Sequence, residues 1–280
     1  MTKKLPRVAA VHDVSGYGKC ALTVAMPVIS AAGVEVCPVP TAILSTNTLF
    51  DNFTFFDYTP HMRAHFDHWR QLGLKFDCVY SGFLGSIEQI DYVLELIEGF
   101  DSGISVIDPV MGDNGIVIKT YTPAMCEKMV SLVAKADIAT PNITEACLLT
   151  GCEYKEAELN SAEAQQLCEQ IIALGCKNVV LTGVRRGSKL YNCAYEQGGG
   201  YFEIAINLLP YNMHGTGDLF TSVLVSGLMR GYGLRQCVDS AARFVYDAME
   251  YGRDIEDIFD RGVAFEPIVY RLGSGLYQKG

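Results

Sequence analysis

Short apolar runs alternate with helical stretches along most of this chain, and that alternation admits few architectures. The runs Arg7–His12, Val34–Pro40, Phe76–Ser81, Gly103–Asp108, Ala136–Thr140 and Asn178–Thr182 read as buried strands. Between them, 21–32, 60–73, Ser86–Phe100, Pro123–Lys135, the stretch opening at Asn142, and Glu163–Leu174 read as helices. A strand, a helical crossover and a second strand return parallel to one another, because only a crossover of that length regains the starting edge. Lys189–Ile206 adds a hairpin around Gln197-Gly198-Gly199-Gly200, and a further helix lies near Gln236–Tyr251. The expectation is one α/β domain over residues 1–280, with a mostly parallel sheet. Asp257–Gly280 lacks periodicity and reads as a loose wrap or a short capping element.

Parallel sheets bind ligands at the carboxyl ends of their strands, and the loops there hold the informative residues. Gly215-Thr216-Gly217-Asp218 opens an apolar helix carrying Leu219, Phe220, Val223, Leu224, Leu228 and Met229. The first amides of a helix lack intrahelical partners and sit at its positive end, which suits an anion such as phosphate. Asp218 in that turn either complements the dipole or takes a proton from a hydroxyl nucleophile. Asp108-Pro109-Val110-Met111-Gly112-Asp113 sets two carboxylates where a hydrated Mg²⁺ could approach phosphates, although Asp113-Asn114-Gly115 is also an ordinary turn. Asn142 and Glu145 have capping-box spacing, which would account for both while leaving room for a second role.

Three other features narrow the function. The formal net charge of −10 argues against a binder of nucleic-acid backbone, which needs clustered Lys and Arg. Nothing reads as a membrane segment or a signal peptide. The ten cysteines contain no C-x-x-C pair and sit among apolar neighbours, as expected of core thiols in a reducing cytoplasm. His61, His65 and His68 share one helix face, but Met62, Phe66 and Trp69 repeat the same spacing one position on. An amphipathic helix with histidines on its shoulder is therefore expected rather than a metal site. Thr41–Tyr58, polar and aromatic, is long enough to be either a β-flap over a pocket or an exposed excursion. Asp13-Val14-Ser15-Gly16-Tyr17-Gly18-Lys19 forms the first ligand-edge turn, and its spacing matches neither a dinucleotide nor a P-loop fingerprint.

Taken together, Val79-Tyr80-Ser81-Gly82-Phe83-Leu84-Gly85-Ser86, Asp108-Pro109-Val110-Met111-Gly112-Asp113, Thr140-Pro141-Asn142-Ile143-Thr144-Glu145 and Gly215-Thr216-Gly217-Asp218 resemble the pyridoxal/pyridoxamine kinases of the ribokinase-like superfamily. The resemblance covers most of the chain and is nearest to bacterial pyridoxamine kinases. It implies a three-layer α/β/α fold with a small β-flap over the active site. It also implies transfer of phosphate from MgATP to the 5′-hydroxymethyl group of a B6 vitamer, with a monovalent cation as a further candidate cofactor and a homodimer as the assembly. By that carry-over Asp218 is the general base, and the amides of Gly215, Thr216 and Gly217 form the anion hole. Asp108 and Glu145 act on the metal and phosphate side with Asp113, and Asn142 supports through water. Thr140 and Thr182 lie along the nucleotide, Ile206, Asn207 and Leu208 flank the adenine, and Thr48 and Phe83 contact the pyridine. His12 stands where many relatives carry a ring-binding Ser, and Phe83 where a Tyr is usual. The opening also resembles the D-x-S-G-G-x-G of hydroxymethylpyrimidine kinases, which usually carry Cys where this chain has Asp218. Such a kinase, another small-molecule kinase of the fold, or a non-catalytic B6- or nucleotide-binding protein are the alternatives.

Overall fold

The computed structural model describes residues 4–100, 102–155 and 158–277. In chain order the elements are β1 (Arg7–Ser15), α1 (Leu22–Ala31), β2 (Glu35–Leu44), β3 (Phe55–Asp57), α2 (Thr59–Gln71), β4 (Cys78–Ser81), α3 (Ile87–Gly99) and β5 (Ile104–Ile107). There follow β6 (Gly112–Asp113), β7 (Ile116–Val117), α4 (Pro123–Val133), β8 (Ile138–Ala139), α5 (Ile143–Thr150), α6 (Ser161–Ala173) and β9 (Asn178–Arg186). The chain continues through β10 (Lys189–Glu196), β11 (Gly200–Asn207), α7 (Thr216–Met229), α8 (Leu234–Gly252) and α9 (Ile258–Arg261).

The main sheet has nine strands in the order β11-β10-β9-β8-β5-β4-β1-β2-β3. From β2 across to β9 every pairing is parallel; β3, β10 and β11 join antiparallel. Strand order departs from β1 in both directions, to β2 on one side and β4 on the other. That reversal opens a crevice at the carboxyl ends of β1 and β4, the place where such sheets hold ligands.

Side chains alternate across the sheet, so each buried strand serves two cores. Val8, Cys78, Tyr80, Val106 and Val180 face a layer built by α1, α7 and α8. Ala9, Val11, Val79, Ile107, Val179 and Leu181 face the layer of α2 through α6. Both faces are covered, which is why the strands read as continuous apolar runs. In α2, Met62 and Phe66 are wholly buried, each burial contributing about 1.5–3 kcal/mol. His61 and His68 are left exposed on its outer side.

One expectation needs revision, and two that stood open are decided. β1 does not stop at His12: it continues to Ser15 because β2 also runs on, pairing Val14 with Ile43 and Ser15 with Leu44. The segment expected as a long loop is therefore strand at both ends, with Ala42, Ile43 and Leu44 pairing antiparallel with Asp57, Phe56 and Phe55. This is the flap. Its base is held by the buried Gln89, whose amide donates to Thr41 O at 2.9 Å and Thr59 Oγ at 2.7 Å. The segment after α8 is not loose either. Val263, Ala264, Phe265, Ile268, Leu272 and Tyr277 are buried against α7 and α8, so it caps that core, although its last three residues lie outside those described.

Candidate active site

α7 begins at Gly215, whose backbone has φ +78°. A side chain there would be strained, and its Cβ would lie 2.1 Å from Lys19 O. Glycine is thus required for the sharp entry and for close packing on the first ligand loop. Gly217 differs: a Cβ there would meet nothing within 4 Å. It would project into open space beside the orphan amides of the first turn, where an anion would sit.

Asp218 follows in the same turn and is half-buried at the foot of the crevice. Burial raises its carboxyl above the ordinary range, and the Ala21 amide and His214 partly oppose that shift. Ala21 is a non-glycine residue at φ 50°, a strained conformation that directs its N–H at Asp218. Three further carboxylates gather nearby. Asp108, at the end of β5, is pushed well upward by burial and then by Asp218. Glu145, in the first turn of α5, is pushed well upward by burial and then by Asp108. Asp13, near the end of β1, is pushed up to about 7 by burial and by Asp218.

The capping box is formed as its spacing suggests: Asn142 Oδ1 accepts from Glu145 N at 2.9 Å, and Glu145 Oε2 accepts from Asn142 N at 2.9 Å. Glu145 Oε1 also accepts from Met111 N at 3.3 Å, and Asn142 Nδ2 donates to Gly112 O at 2.8 Å. Both polar ends of Asn142 are therefore engaged. Asp113 is exposed at the tip of the β6–β7 hairpin, in an ordinary Asp-Asn-Gly turn where its carboxylate accepts from Asn114. Its charge still reaches Glu145 and His214. Among the described residues no three His, Cys, Asp or Glu side chains converge as a metal cage.

The other expected residues spread along the edge. Thr140 is buried beneath α7, its hydroxyl 3.1 Å from that of Thr221. Thr182 Oγ1 donates to Pro141 O at 3.4 Å, beside Asn142. Ile206, Asn207 and Leu208 stand at the end of β11, on the far flank from the carboxylates, where Asn207 Oδ1 accepts from Lys189. Thr48 is exposed on the flap. Phe83 is half-buried, with its ring 6.3 Å from that of Tyr121. His12 is fully buried; its ring meets Tyr80 edge-on at 4.2 Å, and among the described residues neither nitrogen has a hydrogen-bond partner. Burial alone pushes its imidazole down to about 3, so it is neutral.

Four residues went unremarked as site members in the sequence. Asp13 had a signal, being polar at the end of an apolar strand. Thr221 had one too, standing one turn beyond Asp218 on the same helix. His214 precedes the glycine turn and lies between the charges of Asp218 and Asp113. Ala21 had none, since its role belongs to its backbone.

The phosphomethylpyrimidine kinase family matches residues 26–260, most of the chain. The chain belongs to that family. Among solved structures, a Bacteroides thetaiotaomicron protein classed as a phosphomethylpyrimidine kinase, crystallised with pyridoxal, superposes with a TM-score of 0.93. It is 35% identical, over 99% of this chain and 98% of that one. The pyridoxine/pyridoxal/pyridoxamine kinase of Bordetella avium is 27% identical over 86% of this chain and 84% of its own length. A chloroplast thiamine biosynthetic bifunctional enzyme of Arabidopsis thaliana is 25% identical over 90% of this chain, which spans only 48% of that enzyme. Family membership fits a crevice with a helix N-terminus at its foot and a half-buried carboxylate in the first turn of that helix. No helix among the described residues is long and apolar enough to cross a membrane.

Proposed function

We propose that this protein transfers the γ-phosphoryl group of ATP to the 5′-hydroxymethyl group of a B6 vitamer. The observation that carries the reading is Asp218, half-buried in the first turn of α7 beside the amides of Thr216 and Gly217, with the strained Ala21 backbone next to it. The hydroxyl oxygen attacks the γ-phosphorus, the bridging P–O bond to the β-phosphate breaks, and the hydroxyl proton passes to Asp218. A carboxyl raised by burial is a better base than an exposed one, because protonation relieves its desolvation. The amides of Gly215, Thr216 and Gly217 face the transferring group as its charge shifts. Positioning and charge stabilisation do most of the work in such transfers.

Asp108 and Glu145 suit Mg²⁺: both are hard oxygen donors, buried, and unpaired with any cation among the described residues. Asp113 and Asn142 would assist through water, as expected of an ion that keeps several waters and few protein ligands. That ion would draw charge from the phosphate oxygens. Thr140, Thr182, Ile206, Asn207 and Leu208 would line the nucleotide side, and Thr48, Phe83 and His12 the ring side. The two unpartnered nitrogens of His12 support a role toward the ring, because an orphaned buried donor costs about 1–3 kcal/mol. The exposed Leu49, Phe53, Phe55 and Phe56 of the flap support pairing of two chains.

The Asp13-Val14-Ser15-Gly16-Tyr17-Gly18 opening and the membership itself favour a second acceptor, hydroxymethylpyrimidine. The test is ADP release by the purified protein with MgATP and, separately, pyridoxamine, pyridoxal, pyridoxine and hydroxymethylpyrimidine. Turnover of the vitamers is expected. Turnover of the pyrimidine alone would replace this reading with the second one.

A further inference from the structure

Asp13 stands near the end of β1 beside Asp218, and nothing in the phosphoryl transfer itself uses it. We propose that Asp13 sets acceptor specificity: its carboxylate receives an amino group carried next to the hydroxymethyl group on the substrate ring. This rests on the preceding reading, in which a ring-borne hydroxyl is presented to Asp218.

The first argument is unmet hydrogen-bonding capacity. Asp13 is 8% exposed, and Ser15 Oγ donates to its Oδ2 at 3.2 Å. Among the described residues its other oxygen receives no hydrogen bond from a different residue. An ionised carboxylate offers about four acceptor positions, and burying one so sparsely satisfied is unfavourable. A donor belonging to something else completes it.

The second argument is that Asp13 is held in place. The loop above it is fastened on two sides: Gly16 N donates to Leu44 O at 2.8 Å, Asn47 N to Tyr17 O at 2.7 Å, and Lys19 N to Arg261 O at 2.6 Å. The packing of Gly215 on Lys19 O locks it against α7.

The third argument is charge. Burial and then Asp218 hold Asp13 upward, so the two carboxylates share one low-dielectric wall. Lys19, the cation in the adjoining loop, is turned away and pairs with Glu266 at 2.8 Å. His214 is held toward its neutral form by burial. The wall therefore holds two acid groups that a positively charged donor beside the reacting hydroxyl would keep ionised.

Chemistry then selects the substituent. An aminomethyl ammonium adjoining the hydroxymethyl group brings both donors and positive charge. A hydroxymethyl group in its place brings one donor, and an aldehyde brings none, setting acceptor against acceptor. A ring amino group beside the hydroxymethyl, as on hydroxymethylpyrimidine, meets the same requirement. One residue would thus serve both acceptor classes.

The experiment compares kcat/KM for pyridoxamine, pyridoxine and pyridoxal in wild type and in Asp13→Asn. Wild type is expected to favour pyridoxamine over pyridoxal. Asp13→Asn is expected to shrink that ratio by roughly 10–100-fold, the range for losing a charged hydrogen bond. Equal losses on all three substrates, with the ratio unchanged, would overturn the inference. Should the variant fail to fold, wild type still decides, because equal kcat/KM for pyridoxamine and pyridoxal overturns it too. Silence of wild type toward every vitamer would instead overturn the functional reading beneath.

Discussion

The two glycines at the start of α7 give opposite answers to the same substitution. In Gly215→Ala the new methyl would meet Lys19 O at 2.1 Å on a backbone at φ +78°. A left-handed residue with a Cβ costs about 1–2 kcal/mol, and overpacking against backbone adds about 1–3 kcal/mol. The expected loss is about 2–5 kcal/mol. For a chain of this length that lowers Tm by about 3–8 °C, using the usual unfolding entropy per residue. In Gly217→Ala nothing lies within 4 Å of the methyl, and alanine is the better helix former by about 0.8–1.0 kcal/mol. That variant should melt at or slightly above wild type. Its methyl nonetheless points into the space assigned to the phosphoryl group, where displacement by about 1 Å costs on the order of 10²-fold in rate. Differential scanning fluorimetry and coupled ADP release on the two proteins make the test. A Gly217→Ala enzyme with wild-type turnover would refute the placement of the transferring group over α7.

Two other outcomes follow from the same geometry. Asp218→Asn should lower turnover by about 10²–10⁴-fold while calorimetry still detects nucleotide binding; unchanged turnover would remove Asp218 from the chemistry. Stability should fall with rising pH, because Asp13 is held near 7 against an ordinary 3.8, so the folded state binds the extra proton between those values. Its stabilising share is full below about pH 4 and is lost as pH passes about 7, up to about 4 kcal/mol. Asp108, Glu145 and Asp218, all raised, act in the same direction. Melting curves of the ligand-free protein at pH 5 and pH 8 should show a smaller drop in Asp13→Asn than in wild type, and an equal drop would contradict the assignment.

The layered fold was legible because strands buried on both faces write themselves as apolar runs, and because Ser86 and Asn142 mark helix starts with side chains that accept from the third residue on. The flap was only half legible. Ser45–Thr54 carries loop residues, whereas the antiparallel pairing of Ile43 with Phe56 depends on a register that local pattern does not encode. The same holds for β1, whose polar Asp13 and Ser15 resemble a turn until β2 extends alongside them. In the site, Gly215 and Asp218 announce themselves by type. Ala21 contributes only an amide and a strained φ, which any small residue could supply. Asp13, polar at the end of an apolar strand, took on meaning as a site residue once its burial and its nearness to Asp218 were known.

The segment after α8 joins pieces that are distant in sequence. Arg261 O accepts from Lys19 N at 2.6 Å, Asp260 O from the Asn47 amide at 3.4 Å, and His214 O from Val263 N at 3.0 Å. The first ligand loop, the flap and the phosphate turn thus share one clasp, though none of the clasp's own side chains is assigned to the chemistry. Shortening the protein at Gly252 would leave every strand of the sheet in place and would unfasten three walls of the crevice together. Changes near residue 260 are therefore expected to loosen those three segments together, and a library screened for looser or broader acceptor use has an economical target there, far along the chain from the residues proposed to touch substrate.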